Sequence, residues 1–65
     1  MKRLTENQQW VIQELRRRKM WWLAAATEEN WRGGKTYYID RRVNARGIQR
    51  AFNQGNEEAA QSSRG

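Results

Sequence analysis

Apolar residues fall in three groups along the 65-residue chain, separated by polar and basic runs. The first group is Leu4, Val11, Ile12 and Leu15, with Gln8 on the same stripe, at helical spacings of three and four. Thr5 followed three residues later by Gln8 matches a capping box. Glu6 suits the positive end of a helix dipole, and the basic run of Arg16, Arg17, Arg18 and Lys19 suits the negative end. The pattern predicts a helix over residues 5–19, with Trp10 off its apolar stripe.

Residues 20–30, MWWLAAATEEN, support two readings. Ala24, Ala25, Ala26, Glu28 and Glu29 favour helix by propensity, whereas Trp21 and Trp22 favour a strand. Residues 35–40, KTYYID, follow the Gly33-Gly34 breaker and have the composition of a strand. A lone strand needs a partner. The pattern therefore predicts a β-hairpin of residues 20–26 with 35–41, closed through Trp31, Arg32, Gly33 and Gly34. The alternative is one continuous helix from the N-terminal cap to Asn30.

The third group, Ala45, Ile48, Ala51 and Phe52, shares one helical face behind Asn44, a good N-cap. Gly55 is a natural helix stop, so a second helix is expected over residues 45–54. Gly47 inside it costs about 1 kcal/mol relative to Ala. Residues 55–65 have only Ala as apolar content, which predicts a disordered tail. The expected fold is α+β and winged-helix-like, in the order helix, β-hairpin, helix. Residues 1–54 form its single domain and residues 55–65 a flexible tail. The alternative is all-α, with one long N-terminal helix.

Composition narrows the chemistry. Cysteine and histidine are both absent, which removes disulfides, zinc fingers and Cys or His catalysis. The acidic pairs Glu28-Glu29 and Glu57-Glu58 are adjacent in sequence and cannot face one another across a site. No Ser or Thr has a base beside it. No catalytic residue, metal or cofactor is expected. No apolar run reaches the roughly 18 residues of a membrane span, and the N-terminus lacks the apolar stretch of a secretory signal. A cytoplasmic protein is expected.

The net charge of +6 changes the picture most. Ten of the 13 basic residues are Arg, the planar cation that suits phosphates and guanine edges. Such a balance excludes a DNA mimic and points to a nucleic-acid binder. Arg46, Gln49, Arg50 and Asn53 lie at i, i+3, i+4 and i+7, an acid-free stripe of base-reading types. The plainer reading is the polar face of an amphipathic helix. Arg16, Arg17, Arg18 and Lys19 form a candidate phosphate clamp, beyond the one or two cations that dipole compensation needs. Arg32 and Lys35 flank the Gly33-Gly34 turn, and Arg41 and Arg42 follow. They suit a basic wing tip, or a loop and a charged strand edge. Trp10, Trp21, Trp22, Trp31, Tyr37 and Tyr38 are expected mainly to pack. Any surplus would mark a dimer or partner surface, or stack on unpaired bases.

The opening Met1-Lys2-Arg3-Leu4-Thr5-Glu6-Asn7-Gln8-Gln9-Trp10-Val11 resembles the first helix of winged helix-turn-helix domains, especially the SOS-response repressors of bacteria. Arg46-Gly47-Ile48-Gln49-Arg50-Ala51 looks like the recognition or final helix of such domains. The order helix, hairpin, helix is similar to small phage excisionases. The resemblance implies sequence-specific double-stranded DNA binding by a small phage-type regulator, with the second helix in the major groove. A chain this small is expected to act as a homodimer or a cooperative oligomer on DNA. The competing expectation is an accessory or inhibitor protein that binds a host protein through a Trp-rich surface.

Overall fold

A computed structural model describes residues 3–38 and 47–63. Those residues form three helices and no strand: α1 (Glu6–Arg17), α2 (Trp21–Arg32) and α3 (Ile48–Ser63). The fold is a small all-α bundle, and the α+β winged-helix expectation is overturned.

Helix α1 begins where the sequence places it. The Thr5 hydroxyl accepts from the Gln8 backbone N–H at 3.1 Å, and the Gln8 side chain accepts from the Thr5 N–H at 2.9 Å. Gln8, Val11, Ile12 and Leu15 are buried along its inner stripe. The helix stops at Arg17 because the chain turns left-handed at Lys19, with φ 62°. The Lys19 N–H donates to the Arg16 carbonyl at 2.8 Å, and the Met20 N–H to the Leu15 carbonyl at 2.9 Å. These two bonds make a Schellman motif, which satisfies orphan carbonyls and folds Met20 back against the core. A non-glycine residue in that conformation costs about 1–2 kcal/mol.

Residues 21–26 of the expected hairpin are therefore helical, and the continuous-helix alternative is broken between Arg17 and Trp21. Ala24, Thr27 and Trp31 are buried at i, i+3 and i+7 of α2, a period no strand would give. The three alanines and two glutamates outweigh the β preference of Trp21 and Trp22, which lie on the outside. A second Schellman motif ends α2. Gly34, at φ 74°, donates to the Trp31 carbonyl at 3.0 Å, and the Lys35 N–H donates to Asn30 at 2.8 Å. Residues 35–38 have no regular structure, and 39–41 lie outside the described residues.

Helix α3 corrects the rest. It starts after Gly47, whose carbonyl accepts from Ala51 at 2.9 Å and whose φ is 75°, so Gly47 precedes the helix rather than interrupting it. It runs through Gly55 to Ser63, across the stretch expected to be a disordered tail. Ile48, Phe52, Gly55, Asn56 and Ala59 form its buried face. Gly55 is buried mid-helix because the Trp31 indole occupies the space of its missing side chain. A Cβ there would sit 2.5 Å from two ring carbons. The expected cap Asn44 and Ala45 lie outside the described residues.

Trp31 is the keystone of the core, 2% exposed, with its ring centroid 5.0 Å from that of Phe52. Its indole N–H donates to Asn56 Oδ1 at 2.8 Å. Asn56 also accepts from the Tyr37 N–H at 2.8 Å and donates to the Tyr37 carbonyl at 3.2 Å. One buried amide thereby ties α2, α3 and the returning segment together. Asn7 and Gln8 dock α1 in the same way. Asn7 donates to the Ala51 carbonyl at 2.9 Å and to Glu58 at 3.1 Å, and Gln8 donates to the Gly55 carbonyl at 2.9 Å.

Candidate nucleic-acid interface

The basic run at the end of α1 divides once the helices pack. Arg16 reaches across to α2 and pairs with Glu28 at 2.9 Å. Arg32 takes the other oxygen of the same carboxylate, at 2.8 Å. Arg17 pairs with Glu14 one turn back, at 3.0 Å. Arg18 and Lys19 form the turn between α1 and α2 and are exposed, with no ion pair among the described residues. Of the four expected phosphate-clamp residues, two are engaged with acids and two point freely to solvent.

An open cleft of about 360 Å³ lies between α1 and α2, lined by no residue of α3. Arg3, Arg16 and Arg32 reach it, opposed by Glu28 alone, with Gln9 and Gln13 among its polar lining. The cleft therefore favours anions. Arg3 has a place here that sequence periodicity did not suggest, because it precedes the helix cap.

On α3, Arg50 and Asn53 are exposed and Gln49 is half-buried. Gln49 Nε2 donates to Asn53 Oδ1 at 3.1 Å, so the two amides are coupled across one turn. Each retains one further donor group and Gln49 its carbonyl for an external partner. Extending the helix places Glu57 one heptad beyond Arg50, so the acid-free stretch is confined to the first half of α3. Lys35 is exposed just past the end of α2. The expected contacts Arg41, Arg42 and Arg46 lie outside the described residues.

The aromatic residues divide sharply. Trp31 packs fully and Tyr37 partly, as expected of a core poor in aliphatics. Trp10, Trp21, Trp22 and Tyr38 remain 44%, 62%, 85% and 78% exposed. Trp21 and Trp22 occupy the first turn of α2, immediately after Arg18 and Lys19. The neighbouring positions one turn on are Ala25 and Ala26, too small to cover indole rings.

Among the described residues no group of acids could hold a metal ion, and no helix is long and apolar enough to cross a membrane. Compared with known protein families, curated proteins and solved structures, the chain has no match.

Proposed function

We propose that this chain binds double-stranded DNA through its exposed cations and the first half of α3, without a wing. The observation that carries this reading is the set of cations left over after internal pairing. Arg3, Arg18, Lys19, Lys35 and Arg50 have no acidic partner among the described residues, in a chain of net charge +6. Cations at the α1–α2 turn contact phosphates and release counterions. Arg50, supported by Gln49 and Asn53, reads base edges in the major groove. One copy presents few base contacts, so specific binding requires a dimer or an array along the duplex. The site of action is the compartment that holds the DNA, the cytoplasm of a bacterial host.

The test is a mobility-shift titration on duplex DNA over a salt series. Arg18→Ala and Lys19→Ala each lower the log–log salt slope by about 0.9, weakening all duplexes alike. Arg50→Ala costs about 1–3 kcal/mol on a selected site and less on random duplex. Absence of binding by the parent protein at about 50 mM salt, where phosphate contacts are strong, refutes the reading.

A second reading rests on the exposed aromatics. Trp10, Trp21, Trp22 and Tyr38 suit the anchors of a protein–protein contact, in which the chain modulates a host protein. A complex that forms without DNA and is lost on Trp22→Ala supports it.

A further inference from the structure

The apolar surface that α2 leaves in water is concentrated at one end. Trp22 is the most exposed large hydrophobic residue among those described, and Trp21 precedes it. Bulky rings held out of a core forgo the gain of burial, so two of them at one helix end mark a contact surface. Helical side chains lean toward the helix N-terminus, and for Trp21 and Trp22 that end of α2 adjoins the turn formed by Arg18 and Lys19. Arg17, although paired with Glu14, remains largely exposed at the end of α1. Successive helical residues diverge by about 100°, so the two rings present separate faces rather than one clamp. Ala25 and Ala26 leave those faces open.

We propose that the α1–α2 turn is a stacking platform for single-stranded DNA. Trp21 and Trp22 each take the face of an unpaired base, and Arg18 and Lys19 take the phosphates that flank those bases. Charge complementarity selects the occupant. Indole rings bordered by unpaired cations match a polyanion that alternates flat apolar rings with phosphates. A duplex offers only phosphates and base edges here, because its base faces are already stacked. Every base has a π-face, so the platform tolerates any sequence. The proposal rests on the reading of the chain as a DNA binder and adds its substrate class: duplex DNA next to a gap, flap or melted segment.

The experiment compares three probes by fluorescence anisotropy: oligothymidylate, an abasic strand of equal length, and a blunt duplex. Stacking predicts tighter binding to oligothymidylate than to the abasic strand, with quenching of tryptophan emission. Trp22→Ala weakens oligothymidylate binding about 5- to 150-fold, the range measured for one stacked base, and leaves the blunt duplex unchanged. Trp22→Phe retains part of the affinity. The side chain is exposed, so these variants keep the parent far-UV circular dichroism and Tm. Equal binding of the abasic strand, or an unchanged affinity of Trp21→Ala/Trp22→Ala for oligothymidylate, overturns the proposal while the duplex reading stands. Binding to neither strand nor duplex defeats both. A blue shift of tryptophan emission with phosphatidylglycerol vesicles but no quenching by oligothymidylate overturns it in favour of a membrane surface.

Discussion

Replacing Gly55 with Ala is expected to destabilise this protein, although glycine inside a helix is ordinarily a weakness. On propensity alone, Ala at an interior position of α3 gains about 1 kcal/mol. Against that gain stands the Trp31 ring, 2.5 Å from where the new Cβ would lie at two carbons and 3.2 Å at a third. The ring cannot swing away cheaply. It is 2% exposed, packed on Phe52 and hydrogen-bonded to Asn56. Overpacking a core typically costs about 1–3 kcal/mol, and this overlap belongs at the upper end. The net loss is then about 2 kcal/mol. At roughly 4–8 °C per kcal/mol for a domain of this size, Tm falls by about 8–16 °C. The assay is thermal and urea unfolding of a double-mutant cycle with Trp31→Phe, whose smaller ring vacates the overlapped space. In that background Gly55→Ala keeps only its propensity term and becomes stabilising by about 1 kcal/mol. A higher Tm for Gly55→Ala in the parent protein refutes the reasoning. So does an equal effect in both backgrounds, because it would locate the penalty in the backbone rather than against the indole.

Two further outcomes follow from the same core. Asn56→Ala strands the Trp31 indole N–H and the Tyr37 backbone N–H, at about 1–3 kcal/mol per unsatisfied group, read as a lower urea midpoint at unchanged m-value. Truncation after Gln54 removes Gly55, Asn56 and Ala59 from the buried face of α3 and abolishes cooperative unfolding by circular dichroism. A truncated chain that retains the parent transition would show that the C-terminal half of α3 adds nothing to the fold.

The sequence by itself determined what depends on near neighbours. The Thr5–Gln8 box and the Val11, Ile12, Leu15 stripe sit within one or two turns of each other, and α1 starts and packs as they dictate. The apolar spacing of Ile48, Ala51 and Phe52 likewise marked the first half of α3, although its expected start at Ala45 lies outside the described residues. The excess of unpaired positive charge was also legible, because ion pairing redistributes charge without removing it.

Tertiary structure decided the rest. Lys19 turns left-handed although neither Gly nor Asn marks the spot, because Met20 then folds onto the core and two carbonyls gain donors. Trp21 and Trp22 read as strand residues only while their partners are unknown, and packing of Ala24, Thr27 and Trp31 makes their segment a helix. The second half of α3 was illegible for a related reason. Its core positions hold Gly55 and Asn56, which look like a helix stop and a surface residue. One is small because an indole fills its place, and the other is polar because that indole and Tyr37 supply its hydrogen bonds. Which cations remain free was decided the same way, since Arg16 meets Glu28 only when α2 folds back along α1. Periodicity registers what a residue is, whereas these positions are set by residues distant in the chain that occupy the same space.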